Sequence, residues 1–202
     1  MARSMKPARN VIGGLGNLMF KQAYLWSQMR EGKIPDVYVQ SEKYWKPYAE
    51  EIKQMYGEGI RRNSIDMVAI HVRRGDYLRV PEFHMQLTDT DYYQRAIQEF
   101  DEHTNFLVFC KDNQGDDVDK ADNEWCKEYF QKITLGRSYM HEHSTESEDL
   151  NTMASCKGLI MANSTFSWWA AYLGEQENII CPEKWFVDGK QRIDLIPQWK
   201  KI

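Results

Sequence analysis

The chain has 202 residues, 42% of them hydrophobic and 28% charged, with a formal net charge of −4. This is the composition of a globular domain long enough to bury a real core, and its acidic balance gives a nucleic-acid partner no electrostatic footing. No apolar run approaches the ~20 residues of a membrane helix, and the basic stretch Met1 to Asn10 leads into no apolar signal-peptide core.

In chain order, the first element is the apolar pair Val11-Ile12, followed by Gly13-Gly14-Leu15-Gly16-Asn17. Leu18, Met19, Phe20, Ala23, Tyr24 and Trp26 then recur at helical spacing. A strand, a glycine turn and a helix start form a nucleotide-type opening, although a plain turn explains Gly-Gly-Leu-Gly equally well. Residues 31–64 are polar and rich in aromatics, with a helix expected from about Pro47 to Tyr56, ended by Gly57 and Gly59. A strand is expected at 65–72, a helix from Asp89 to Glu102, and a strand from Phe106 to Cys110. Helices from Asn123 to Gln131 and from Glu148 to Lys157 follow. A strand at 158–162 then feeds a helix running through Leu173, and Asn178 to Cys181 forms a last short strand. This alternation predicts an α/β fold with a parallel, doubly wound sheet.

Cys110, Cys126, Cys156 and Cys181 show no metal-ligand spacing, and Cys110 and Cys156 are expected to be buried free thiols. Four clusters carry chemistry. The run Val68 to Val72 reads as a buried strand that ends in His71, Arg73, Arg74, Gly75 and Asp76. A strand end that delivers guanidiniums and an imidazole to one point suits a multiply charged anion; a solvated turn is the plainer alternative. The second cluster is Asn163-Ser164-Thr165-Phe166-Ser167-Trp168-Trp169. Its hydroxyls at a helix start can cap the helix or cradle an anion, and its tryptophans are expected to pack the helix on the sheet. The third, Glu148-Asp149, can bond a guanine edge or ribose hydroxyls, or can simply favour a helix N-terminus. The fourth, Asp117-Val118-Asp119, has the form of a cation-binding pair but lies in an acidic stretch best read as a solvated loop. His141 and His143 stand two apart without a third metal ligand, so no metal site is expected.

Four segments together resemble the α-1,2-fucosyltransferases of glycosyltransferase family 11. They are Gly13 to Phe20, His71 to Tyr77, Glu124 to Glu128, and Asp149-Leu150 through Asn163 to Leu173. The resemblance implies a GT-B type fold with a Rossmann-like donor domain. It also implies GDP-β-L-fucose as donor substrate, a galactose-terminated glycan as acceptor, inversion at the anomeric carbon, and no cofactor or metal. Arg73 would hold the β-phosphate with His71 beside it, and Asn163, Ser164, Thr165 and Ser167 would line the diphosphate. Asp149 would read guanine, and Gly14, Gly16 and Asn17 would meet the donor from across the cleft. Arg74 would turn inward to a carboxylate. Asp76 is the first candidate for the general base, before Glu82 and His84.

The chain departs from the family pattern in three places. Leu18 stands where members usually have Gln, and Cys110-Lys111-Asp112-Asn113 stands where they tend to have Ser-Asp-Asp. Members also usually carry several dozen more residues before the stretch Tyr38 to Tyr44. The expected organisation is therefore a reduced acceptor-side part at 1–64 and a donor domain at 65–202. A cytoplasmic protein is expected, because a glycan on the Asn163 sequon would block the site, and peripheral contact with lipid-linked glycans is compatible with that setting. The rival expectation is a truncated relative that binds a GDP-sugar without transferring it.

Overall fold

The computed structural model describes residues 14–31, 40–75, 77–110, 117–190 and 192–202. The expected strand Val11-Ile12 and the candidate base Asp76 lie outside these residues. In chain order the elements are α1 (Leu15–Glu31), α2 (Ala49–Tyr56), β1 (Ile65–Val72), α3 (Tyr92–Ile97), β2 (Phe106–Cys110), α4 (Asp117–Ile133), β3 (Ser138–Met140), α5 (Glu146–Ser155), β4 (Cys156–Ile160), α6 (Thr165–Gly174), β5 (Asn178–Cys181) and β6 (Lys200–Lys201). The six strands form one sheet in the order β3-β2-β1-β4-β5-β6. Every strand pair in it is parallel.

Both faces of this sheet are covered, so the second half of β1 does not alternate: Val68 to Val72 are buried without a break, His71 among them. The side chains still divide by the pleat. Val68, Ile70 and Val72 join Phe106, Val108 and Ile160 in a core completed by Tyr93 and Ala96 of α3 and by Cys126 and Phe130 of α4. Ala69, Phe109, Leu159 and Ile179 join the opposite core with α1, α5 and α6. From β1 the chain winds outward through β2 to β3. It then returns to β4 and winds the other way through β5. The order therefore reverses between β1 and β4, the switch point at which open α/β sheets hold their ligands.

The second core is unusually aromatic. Trp45, Trp168 and Trp169 are fully buried, with Phe20 among them. Trp169 stacks on Trp45 at 5.7 Å and meets Phe20 at 5.1 Å and Tyr56 at 5.4 Å. Trp168 and Trp169 share this core with Ala69, Leu159 and Ile179 of the sheet, as the sequence suggested, and Trp169 also meets rings from the N-terminal part of the chain. Removing a ring of this size leaves a cavity worth about 3–5 kcal/mol.

Several boundaries differ from expectation for local reasons. α4 begins at Asp117, so Asp117 and Asp119 lie in a helix rather than in a loop. α5 begins at Glu146 because Thr145 caps it, its Oγ1 accepting from the Glu148 N–H at 3.2 Å. α3 ends at Ile97 and gives way to turns before Thr104, which shortens the expected helix. β3 and β6, three and two residues long, are too short to leave a pattern in the sequence.

Candidate functional site

The carboxyl ends of β1 and β4 open into a cavity of about 390 Å³, within the range of small-molecule sites. Two helix N-termini converge on it. α6 starts at Thr165, capped by Ser164, whose Oγ accepts from the Phe166 N–H at 3.3 Å. α1 starts at Leu15 and abuts that same turn. A Cβ on Gly16 would lie 2.5 Å from the carbonyl carbon of Thr165 and 2.7 Å from the backbone nitrogen of Phe166, so only glycine permits the approach. Trp169 fixes the pair by donating Nε1–H to the Gly16 carbonyl at 3.0 Å. The positive ends of both helix dipoles face one space, beside the Arg73 side chain.

His71, next to last in β1, lies on the α6 side of the sheet, its ring 5.6 Å from that of Phe166. Burial, with Arg73 beside it, lowers its pKa to about 3, so the imidazole is neutral at any ordinary pH. Its buried Nδ1 has no hydrogen-bond partner among the described residues. Arg74 turns away from the cavity, as expected. Its Nε donates to Asp122 Oδ1 at 3.0 Å and its guanidinium lies 3.8 Å from the Trp125 ring centroid. Asp122 Oδ2 also accepts from the Gly75 N–H at 3.0 Å, so one carboxylate of α4 pins the turn that aims Arg73.

Most of the residues expected from sequence meet here. Gly14, Gly16, Asn17, His71, Arg73, Asp149, Asn163, Ser164 and Thr165 all line the cavity. Ser167 does not: it is fully buried, and its hydroxyl donates within the β4–α6 turn to the Ala162 and Ser164 carbonyls. The Asn163 amide is committed too, donating to the Met85 carbonyl at 3.0 Å and the Trp185 carbonyl at 2.9 Å. Glu82 is exposed and lies off the cavity, whereas His84 lines it, stacked on Tyr77 at 3.9 Å.

Asp149 closes one end. It accepts from His141 Nε2 at 2.8 Å and from the Ser144 N–H at 3.3 Å, and His143 Nδ1 contacts its other oxygen. Glu146 lines the wall beside it. The role of this histidine pair was missed from sequence, where only metal spacing was considered; its signal was His-Glu-His placed eight and six residues before a carboxylate at a helix start. Among the described residues, no group of three or more His, Cys, Asp or Glu side chains is placed to hold a metal ion. Cys110 is half-buried at the cavity, not buried as expected, and its Sγ lies 3.0 Å from Cys126 Sγ. The opposite end is aromatic, formed by Tyr77, Phe83, His84, Trp185 and Phe186, and was not legible from sequence.

Comparison with known proteins decides the family. The model of Glycosyl transferase family 11 matches residues 19–197, nearly the whole chain. The chain belongs to glycosyl transferase family 11. Its similarity to an α-1,2-colitosyltransferase of Escherichia coli is 32% identity over 73% of this chain and 54% of that protein. An O-antigen biosynthesis glycosyltransferase of E. coli, WbnK, is 32% identical over 65% of this chain and 43% of its own length. Mouse galactoside α-(1,2)-fucosyltransferase 2 is 26% identical over 88% of this chain and 58% of its own. This family 11 chain thus spans about half the length of the curated relatives it matches. Among solved structures, E. coli heptosyltransferase WaaC with ADP is similar at a TM-score of 0.47 and 12% identity, over 86% of this chain and 46% of that one. No helix among the described residues is long and apolar enough to cross a membrane.

Proposed function

We propose that this family 11 chain is an inverting, metal-independent fucosyltransferase that moves L-fucose from GDP-β-L-fucose to a terminal galactose hydroxyl in α-1,2 linkage. The observation that carries the reading is the convergence of two helix N-termini with Arg73 at the sheet's switch point. That arrangement matches a diphosphate better than any neutral ligand. His71, which lines the same cavity beside Arg73 and whose buried Nδ1 has no partner among the described residues, supports it as a further hydrogen-bonding group. The relatives' names support a fucosyl or colitosyl donor, and both of those sugars are 6-deoxyhexoses.

In this mechanism the acceptor oxygen attacks the anomeric carbon from the face opposite GDP. The bond from that carbon to the β-phosphate oxygen breaks, and negative charge grows on the departing phosphate. Arg73 and the two helix ends stabilise that charge where it develops, in a site preorganised for it. The acceptor proton passes to a general base, with Asp76 first and His84 second as candidates. One displacement converts the β donor to an α product.

The test is GDP release from GDP-L-fucose with a galactoside acceptor, run with and without EDTA, on the natural chain and on Arg73→Ala. Acceptor-dependent release that survives EDTA and is lost in Arg73→Ala supports the proposal. GDP binding without turnover on a broad acceptor panel would leave a GDP-sugar-binding protein instead. Loss of release in EDTA, restored by Mn²⁺, would sink the metal-free mechanism.

A further inference from the structure

The cavity has two chemically different ends, and they lie on opposite sides of the switch point. Towards β3 stand Asp149, Glu146, His141 and His143, a surface of acceptors and polar hydrogens. Towards β5 stand Tyr77, His84, Phe83 and Phe186, with Trp185 behind them. A donor whose diphosphate lies on Arg73 and the helix ends must send its base to one end and its sugar to the other.

Ring geometry separates the two possibilities. A purine binds an aromatic wall by lying flat on an open ring face. Here much of the ring surface is taken: Tyr77 is covered on both faces, and Phe186 and Phe83 each carry a guanidinium on one. Tyr77 stacks on His84 at 3.9 Å and 9° and also faces the Arg73 guanidinium at 5.1 Å. Phe186 and Phe83 lie under the Arg192 guanidinium at 4.6 and 5.3 Å. What remains for a ligand is a wall made mostly of ring edges, against which a methyl group can pack, with Arg192, His84 and the Trp185 indole N–H as its polar groups.

We infer that the Tyr77–His84–Phe186 end, opposite the Asp149 end to which the family resemblance assigns the base, receives the transferred sugar and selects a 6-deoxyhexose by enclosing its C6 methyl. The assignment rests on the GDP-sugar reading given above and adds to it which residues face the sugar. Asn163 is the positioning residue of this wall. Its one amide group donates to Met85 and to Trp185, and so ties together the two loops that carry the rings. The His84–Phe186 bridge and the Val187 N–H to Phe83 carbonyl bond of 3.1 Å keep those loops in register. The Tyr77 hydroxyl donates back to the Asn163 carbonyl at 2.8 Å.

The experiment measures binding of three probes, GDP, GDP-L-fucose and GDP-L-galactose, the last differing from the fucose donor only by a hydroxyl on C6. The natural chain should prefer GDP-L-fucose over GDP-L-galactose by about 10-fold, since an apolar pocket rejects an added hydroxyl by at most about 100-fold. Phe186→Ala should reduce that preference to about twofold while changing GDP affinity by less than about twofold. Asn163→Ala should do the same, and Asp149→Asn should weaken all three probes together. Retained GDP affinity shows that each variant is folded, and a variant that has lost it is replaced by Phe186→Leu or Asn163→Ser. GDP binding with no preference between the two sugars overturns this inference and leaves the GDP-sugar reading standing. A Phe186→Ala loss shared equally by GDP would place the base at the aromatic end and also overturn it. Failure of the natural chain to bind GDP at all removes both.

Discussion

Gly16 and Thr165 are joined so closely that two helices separated by most of the chain share one N-terminal surface, with only 2.5 Å available to any carbon on Gly16. The contact is backbone to backbone, so a side chain cannot rotate out of the way. Gly16→Ala must therefore push α1 from α6 and lengthen the Trp169 Nε1 to Gly16 carbonyl bond. The expected cost is about 1–3 kcal/mol of stability, as for overpacking a tight core. GDP affinity should fall with it, because the two positive helix ends separate. Urea unfolding and GDP titration of Gly16→Ala beside Gly14→Ala check this; Gly14 has nothing within 4 Å of an added Cβ and should tolerate alanine.

Asp122 acts on the site at one remove. Its carboxylate receives Arg74 Nε and the Gly75 N–H, each at 3.0 Å, in a place where both partners are largely shielded from water. Asp122→Ala strands a guanidinium and a backbone donor together. The expected loss is about 1.5–3 kcal/mol, the range for hydrogen bonds to charged groups. Because the same turn aims Arg73, GDP affinity should drop as well. Asp122→Asn keeps one acceptor and should lie between. Unchanged GDP binding in a folded Asp122→Ala protein would show that Arg73 is aimed by something else.

The sheet was legible in the sequence wherever a strand was long and covered on both faces. Ile65–Val72, Phe106–Cys110 and Asn178–Cys181 fall where their largely apolar runs put them, whereas the strand expected at 158–162 forms two residues earlier, as Cys156–Ile160. Arg73 and Ser164 were legible because each ends such a run and so must sit at the sheet's carboxyl edge. The aromatic end was not. Tyr77, His84 and Phe186 lie in loops with no periodicity, and they meet only because β1 and β5 flank β4 in the folded sheet. Asn163 and Ser167 were misleading for a related reason. Their side chains have the chemistry of ligand contacts, but Ser167 is needed by the carbonyls of its own β4–α6 turn and Asn163 by the carbonyls of Met85 and Trp185 in neighbouring loops.

Ser164 and Ser167 offer a direct contrast within that turn. Ser164 both caps α6 and lines the cavity, whereas Ser167 bonds only inward. Ser164→Ala should lose about 1 kcal/mol of stability through the cap and also weaken GDP binding. Ser167→Ala should lose a comparable amount, about 0.5–1.5 kcal/mol for its hydrogen bonds, with GDP affinity unchanged. Thermal unfolding and GDP titration of both variants decide the matter. A fall in GDP affinity for Ser167→Ala would return that hydroxyl to the ligand.

His71 predicts how stability depends on pH. Its folded pKa of about 3 lies well below the ordinary histidine value near 6.5, because the buried ring beside Arg73 cannot accept a proton. Between those two values the unfolded chain binds a proton that the folded chain does not. Stability is therefore fully present above about pH 6.5 and falls as the pH is lowered towards 3, by at most about 1.4 kcal/mol per pH unit from this residue. His71→Asn removes the titrating group while keeping a polar side chain of similar reach. The difference between the two unfolding profiles should be flat above pH 7 and slope steadily below 6, with the natural chain losing more. Parallel profiles from pH 7 to pH 4 would mean that the folded ring takes up its proton normally, and that the pocket around Arg73 is wetter than its geometry indicates.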